Sequence, residues 1–265
     1  TELYGGTTSA LGFKSEGTNF TGSLLIGHST TGTISSATNN TGVGINTLNA
    51  LTTGSSNVAI GYRAGTSTGS SSDRGVFLGY WAGAYVGGDD NISIGNFSMG
   101  GRTTTGGYNI AIGRNAGYDL GASERNTIVG DFAGYSVIGG DYNTFIGERS
   151  GYHFDNDASN NIAIGRRAGY NVDGNNNTII GSMEYTGITT MNGQVAIGAG
   201  TTELIRINDT GLGIGTDIPD SAADSNNTKI LNVGVVTATS FYGDGSNLTG
   251  TVSQSTAVAL AIALG

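Results

Sequence analysis

The stretch Asn109-Ile-Ala-Ile-Gly-Arg-Asn-Ala-Gly-Tyr118 decides the fold, because close copies of it return at a regular spacing along the chain. The copies occupy 126–135, 143–152 and 161–170. The glycine after each apolar triplet is a marker for the repeat, and it occurs at Gly61, Gly79, Gly95, Gly113, Gly130, Gly147, Gly165, Gly181, Gly198 and Gly215. Successive markers lie 16 to 18 residues apart. Such a period is typical of an architecture built from stacked repeats.

Two looser copies precede this series, with Gly27 and Asn46 at the marker position, so the sequence predicts 12 units over residues 24–215. Each unit holds one triplet such as Val58-Ala-Ile60 among residues that favour turns. The alternation predicts a short strand with one buried face. No unit can bury that face alone, so we expect the Ile and Val positions of successive coils to stack into a continuous core. The predicted fold class is all-β, a parallel β-roll or β-solenoid with coils of about 17 residues.

Two further positions recur in register with the marker and, with Ile112 and the marker glycines, form the structural repeat. Asparagine lies four residues earlier, at Asn57, Asn91, Asn109, Asn126, Asn143, Asn161 and Asn177. These residues either form a ladder of side-chain amides or simply suit the turn before each strand. Glycine lies four residues later, at Gly65, Gly83, Gly117, Gly134, Gly151 and Gly169. This spacing predicts a corner with positive φ that does not tolerate a Cβ.

The composition narrows the class of protein. The chain has 265 residues, of which 48 are Gly, but it lacks the three-residue period of collagen. The net charge of −9 argues against nucleic acid as a partner. Absence of Cys excludes disulfides and most zinc sites, and no cofactor is predicted. The apolar tail 256–265 is too short to span a bilayer as a helix, so no membrane insertion is expected.

The repeat also divides the chain. Residues 1–23 form an N-terminal cap or linker, and residues 24–215 form the repeats. Residues 216–265 form a C-terminal linker and a β module. Residue 1 is Thr rather than Met, so we expect the chain to be part of a longer protein. Loops of variable length, such as 66–74 and 153–159, are where a repeat protein usually carries its recognition surface.

The unit Asn-Ile-Ala-Ile-Gly-x-x-Ala-Gly over residues 57–200 resembles the head repeat of trimeric autotransporter adhesins, the YadA-like head. That family forms a left-handed parallel β-roll in which three chains pack side by side. Its repeat is shorter than the one here, so additional loop residues must be accommodated. Residues 112–117 also fit the hexapeptide of left-handed β-helix acyltransferases, but that fold needs three hexapeptides per coil and this chain has one.

The C-terminal region resembles bacteriophage tail fibres of the marine and cyanobacterial type. Gly211-Leu-Gly-Ile-Gly-Thr-Asp-Ile-Pro219 is similar to a Gly-Ile-Gly-Thr-x-x-Pro segment near the ends of such fibres. Residues 235–250, which end in Gly-Asp-Gly-Ser-Asn-Leu-Thr-Gly, are similar to a module that recurs in them. Together the two resemblances imply a homotrimeric fibre that binds a host surface.

Two groups of residues are candidates for chemistry. His153, Asp155 and Asp157 would suit acid–base cleavage of a glycan, but we interpret them as a solvated loop, and His28 as an isolated residue. Calcium favours oxygen ligands of the kind found in Asp89-Asp90, Asp141 and Asp173, but acids in turns are ordinary. We therefore predict no metal site and no catalytic residue.

Tyrosine recurs five residues after the marker, at Tyr118, Tyr135, Tyr152 and Tyr170, with Trp81 near an equivalent corner. These aromatic residues either contact a receptor sugar or a second chain, or form a structural ladder, which the strict register favours. The predicted function is that of a structural and adhesive tail-fibre protein in the virion tail, not an enzyme. Its partners are two further copies, other virion proteins and a host surface polysaccharide. The alternatives are a bacterial cell-surface trimeric adhesin and a glycan-degrading fibre.

Overall fold

Every described apolar triplet of the repeat forms a short β-strand. The computed structural model describes residues 13–15, 21–27, 36–66, 72–153, 157–183, 189–200, 202–207 and 212–214. All of them belong to the first of two compact units, Thr1–Lys229. The second unit, Ile230–Gly265, lies outside the described residues, and the fibre-type module predicted at 235–250 lies there with it.

The described secondary structure is entirely β, with no helix in these ranges. The strands are β1 (Phe13–Ser15), β2 (Leu24–Ile26), β3 (Thr41–Val43), β4 (Val58–Ile60), β5 (Val76–Leu78), β6 (Ile92–Ile94), β7 (Ile110–Ile112), β8 (Thr127–Val129), β9 (Thr144–Ile146), β10 (Ile162–Ile164), β11 (Val172–Asp173), β12 (Thr178–Met183), β13 (Thr189–Thr190), β14 (Val195–Gly200), β15 (Thr202–Ile207) and β16 (Leu212–Ile214).

The strands pair in parallel from one coil to the next, and this confirms the β-solenoid. The 14-stranded sheet has the order β1 to β10, then β12, β14, β15 and β16, while β11 and β13 form a second small sheet. The register follows the markers, since Ile110 pairs with Thr127 and Ile112 with Val129. The solenoid contains about nine coils at a spacing near 17 residues.

The coil count is lower than the predicted 12, and one predicted coil is lost because the sheet changes direction after β14. β15 runs antiparallel to β14, and β16 antiparallel to β15, so the glycine at 215 does not mark a parallel coil. Only residue 201 separates β14 from β15, and a parallel return needs a much longer crossover. β1 likewise pairs antiparallel with β2. Both ends of the parallel stack are therefore covered by an antiparallel strand.

One marker is shifted from its predicted place. Val43 pairs with Ile60, so Gly44, not Asn46, lies level with Gly61. Asn46 instead occupies the position two residues after the marker and has a φ of 59°. Arg63, two residues after Gly61, has the same left-handed backbone with a φ of 56°. Asparagine is among the residues that tolerate this conformation best.

The face of the strand that is buried is opposite to the one expected, and the prediction of an Ile and Val core is wrong. The middle residue points inward, as Ala111 and Phe145 do with 0 % exposure, while the flanking Ile112 is 37 % exposed. Side chains alternate along a strand, so the middle residue shares its face with the asparagine two positions earlier. Asn109 is fully buried. Because the middle residue lies on the same side of the strand as this asparagine, the flanking Ile and Val point outward.

The predicted positive-φ corner is confirmed, and it packs against the middle residue of the strand. The six corner glycines have φ between 51° and 62°. A Cβ on Gly151 would lie 2.7 Å from the Phe145 ring. In two coils a larger residue occupies the corner instead: Met99 follows the middle residue Ser93, and Leu48 follows Gly42; both are buried and left-handed, at φ 45° and 50°. The corner therefore also accommodates a large side chain where the middle residue is Ser or Gly.

Candidate functional site: the outer sheet face and its borders

The most extensive surface feature is an apolar face formed by the outer residues of the parallel strands. Two columns run along it, three and one residues before each marker, and they are aliphatic except at Thr41, Thr127, Thr144 and Thr178. The most exposed members are Leu24, Val58, Ile60, Ile112, Ile146, Ile162, Ile164 and Ile180. Neighbouring strands lie about 4.8 Å apart, so these side chains are contiguous. A contiguous apolar face of this kind marks an interaction surface.

The apolar face is bordered by two columns of mostly polar residues, named here the N-edge and the C-edge. The N-edge is the residue five before each marker, namely Ser56, Arg74, Asp90, Tyr108, Arg125, Tyr142, Asn160 and Asn176. The C-edge is the residue one after each marker, namely Tyr62, Tyr80, Asn96, Arg114, Asp131, Glu148, Arg166 and Ser182. Each strand lies between its N-edge residue and its C-edge residue, and the chain runs from the first to the second.

Most charges of both edges pair between coils of the same chain, while Arg125 Nη1 lies 3.0 Å from Oε2 of the adjacent Glu124. On the C-edge, Arg114 Nη2 lies 2.7 Å from Asp131 Oδ2, and Arg166 Nε lies 3.1 Å from Glu148 Oε2. On the N-edge, Arg74 Nε lies 2.6 Å from Asp90 Oδ1. The hydrogen bond from Arg114 lowers the pKa of Asp131, and the bond from Arg74 lowers the pKa of Asp90. The edges are therefore charged at neutral pH.

The predicted asparagine ladder is confirmed inside the solenoid. Asn126 donates from Nδ2 to Asn109 Oδ1 at 3.0 Å and to the Gly140 carbonyl at 2.9 Å. In return, its Oδ1 accepts the backbone N–H of Asn143 at 2.8 Å. The ladder has a gap at Gly75, where an added Cβ would overlap the Phe77 ring. This column holds adjacent coils together and offers no groups to a ligand.

A second column of acceptors, not predicted, lies six residues before the marker. Asp89 Oδ1 accepts the backbone N–H of Asp73 at 2.9 Å, and Asp141 Oδ1 accepts that of Glu124 at 2.7 Å. Ser159 Oγ continues the column by accepting the N–H of Asp141. The signal in the sequence is a regular series of short polar residues at this position. Of the acids considered for calcium, Asp89 and Asp141 are thus engaged with the backbone, and Asp90 is paired with Arg74.

The recurrent tyrosines form a continuous stack. The rings of Tyr118 and Tyr135 are 4.9 Å apart and nearly parallel at 2°, and those of Tyr152 and Tyr170 are 5.0 Å apart at 4°. The ring faces cover one another, and each of the four tyrosines is half-buried. Trp81 belongs to another column, two residues after a marker, where Arg63 Cζ lies 4.5 Å from its ring and Phe97 stacks at 5.8 Å. Receptor binding by these residues stays a prediction.

The tyrosine stack has a measurable titration. Burial, followed by the neighbouring tyrosines, raises the pKa of Tyr135, and burial raises that of Tyr152. The folded state therefore holds these protons more tightly, and their contribution to stability is lost as the pH rises above the ordinary tyrosine value of about 10. We expect ultraviolet absorbance to show a late-ionising fraction that shrinks in Tyr135→Phe. Denatured protein is the control, and an unchanged late fraction in the variant would contradict the assignment.

The residues considered for catalysis are not brought into a common site by the described structure. His153 is exposed and packs edge-on against Tyr152, with ring centroids 4.5 Å apart. Asp157 is exposed in a left-handed conformation with φ 69°. Asp155 and His28 lie outside the described residues. Within the described ranges, no three His, Asp or Glu side chains are grouped as metal ligands would be.

The comparisons with known proteins add no family to this description. No protein-family model matches the chain, and neither the curated proteins nor the solved structures contain a match. In the part of the chain that the structure describes, no helix has the length and hydropathy to cross a membrane.

Proposed function

We propose that this chain is a structural and adhesive segment of a homotrimeric phage tail fibre, which attaches the virion tail to a host surface. The observation that carries the proposal is the apolar outer face. Two further copies cover it when three solenoids lie around a common axis, as the resemblance to the YadA-like head implies. The similarity of 211–219 and 235–250 to tail-fibre segments supports a virion location.

The face has the chemistry of a protein–protein contact rather than of a site for a small ligand. Most of its exposed residues are branched aliphatics without hydrogen-bonding groups, and Ile60 reaches 46 % exposure. Thr41 is an exposed exception. Covering the remainder of one such side chain stabilises the assembly by about 1 kcal/mol. The contribution repeats at two columns in every coil and in three chains. The free energy of association of a solenoid therefore grows with its number of coils.

The oligomeric state tests this proposal. We expect sedimentation equilibrium to give a mass near three times the 26.7 kDa of one chain. The double variant Ile112→Lys, Ile164→Lys places charges in the covered face and is expected to shift the mass to that of a monomer. The matched control is Ala122→Lys, at an exposed position outside the face, which should remain trimeric. A monomeric wild-type protein at micromolar concentration would refute the proposal.

Adhesion is tested with the trimer itself. We expect fluorescently labelled trimer to bind bacterial surface polysaccharides displayed on an array, and the monomeric Ile112→Lys, Ile164→Lys variant to bind more weakly because it loses multivalency. Release of reducing ends from a bound polysaccharide, abolished by Asp157→Asn, would instead favour a glycan-degrading fibre. Absence of binding to every array member, together with attachment to another virion protein, would limit the role to structure.

A further inference from the structure

The N-edge and the C-edge lie on opposite sides of the apolar face, and both are exposed. Tyr108 and Tyr142 of the N-edge are each 54 % exposed, and the charged side chains of the C-edge are exposed to a similar degree. A neighbouring copy that covers the apolar face must also approach these edges. The residues of the edges therefore determine which copies fit side by side.

Symmetry sets the alignment of the edges. In a closed ring of three copies around an axis along the coil stack, the strands of one level circulate about the axis, so the C-edge of one protomer meets the N-edge of its neighbour. Rotation without translation keeps every residue at its own coil level. The pairing between protomers then follows from the repeat alone: each N-edge residue faces the C-edge residue of the same coil.

The pairs produced in this way are complementary at every charged level. With the N-edge residue first, they are Ser56 with Tyr62, Arg74 with Tyr80, Asp90 with Asn96, Tyr108 with Arg114, Arg125 with Asp131, Tyr142 with Glu148, and Asn160 with Arg166. Each charge faces an opposite charge, an aromatic ring or a group that can share a hydrogen bond, and no two like charges meet. Arg–Tyr pairs are favourable through cation–π contact.

Among these pairs, only Arg125 with Asp131 joins two opposite charges. Arg125 lies between two tyrosines of its own edge, with its Cζ 5.0 Å from the Tyr108 ring and 5.5 Å from the Tyr142 ring. Asp131 and Glu148 are neighbours on the other edge. A shift of one coil toward the N-terminus would instead oppose Arg125 to Arg114. Like charges in contact suppress that alignment.

We infer that the protomers of the proposed trimer are joined edge to edge by a contact between Arg125 of one copy and Asp131 of the next, with all coils in register. This inference rests on the proposed trimer. It specifies which edge of the neighbouring copy contacts the N-edge and which contacts the C-edge. The contact is heterologous, since a different surface is used on each side, and three such contacts close the ring. The apolar face supplies affinity, and the edges select register and partner.

Paired cysteines test the contact, because the chain contains no native Cys. The variant Arg125→Cys, Asp131→Cys carries one cysteine on each edge. The two positions flank strand β8, whose residues rise about 3.3 Å each, so they lie beyond the reach of a disulfide within one chain, about 7 Å between Cα atoms. Under mild oxidation we expect covalent trimers on a non-reducing denaturing gel. Each single variant should remain uncrosslinked.

The matched control is Arg125→Cys, Arg166→Cys, which uses an exposed C-edge position two coils away and should give an about tenfold lower crosslinked fraction. A trimeric mass without crosslinking between positions 125 and 131 would overturn the edge contact and leave the proposed function standing. A monomeric mass for the wild type would refute both the edge contact and the proposed function. Covalent dimers from Arg125→Cys alone would show a two-fold face-to-face pairing and would also overturn the inference.

Discussion

Replacing the marker Gly130 with alanine is expected to lower the free energy of unfolding by about 4 kcal/mol, from backbone strain and overpacking together. Gly130 has a φ of 142°, which is essentially restricted to glycine. An added Cβ would lie 2.6 Å from the carbonyl carbon of Gly147 and closer still to its oxygen. Both atoms belong to the backbone of the next coil, so relief requires the coils to separate. Denaturant unfolding at fixed protein concentration measures the change.

The control for this substitution is Gly193→Ala in the same unit. Gly193 also has a positive φ, at 64°, but a Cβ there would meet no atom within 4 Å. Only the left-handed backbone strain of about 1 kcal/mol should be lost. Equal effects of the two substitutions would show that close approach of the coils is not what requires glycine at the marker.

The period and the positive-φ corner glycines could be predicted from the sequence because they depend on local rules. Gly113 and Gly117 recur at fixed spacing, and only a few conformations make glycine obligatory. Stacking then follows, because the three apolar residues of a strand such as β7 cannot form a core without neighbours. These features need no knowledge of where the chain goes between strands.

The orientation of the strands could not be predicted in the same way. In Ile110-Ala111-Ile112 both faces are apolar, and hydrophobicity alone assigns the two isoleucines to the core. The deciding residue is Asn109, whose amide binds carbonyl groups of distant loops, including that of Ser123 at 2.7 Å. Its burial fixes the parity of the strand. The edge columns gave no periodic signal either, because Arg, Asp and Tyr alternate there without a rule.

The asparagine ladder therefore does more than satisfy turns, since it also decides which side of each strand faces solvent. We expect Asn126→Ala to lower the free energy of unfolding by about 4 kcal/mol, because two buried groups lose their partners at about 2 kcal/mol each. These groups are the Asn143 N–H and the Gly140 carbonyl. The exposed Thr105→Ala, outside both edges, is the control and should change the free energy by less than about 0.5 kcal/mol.

Hydrogen exchange gives this prediction a local measurement. The Asn143 amide should lose its protection in Asn126→Ala, while the Thr144 amide, which donates to the Asn161 carbonyl, should keep its own relative to global unfolding. Uniform loss of protection across the coil would indicate collapse of packing rather than a broken ladder. The two outcomes separate the hydrogen bonds of Asn126 from its volume.

Asn126→Asp separates the two roles of the amide, since aspartate has the same shape and keeps the acceptor for Asn143 but loses the Nδ2 donor. The carboxylate would face Asn109 Oδ1 and the Gly140 carbonyl, both acceptors, so its folded pKa must lie above the ordinary value of about 4. A raised folded pKa means that the deficit relative to wild type is largest at neutral pH and shrinks as the pH falls, because the protonated acid can donate. Unfolding of both proteins at each pH measures this difference. A deficit independent of pH would mean that the donor is not what the ladder requires, and the parity argument for the outward Ile and Val columns would lose its physical basis.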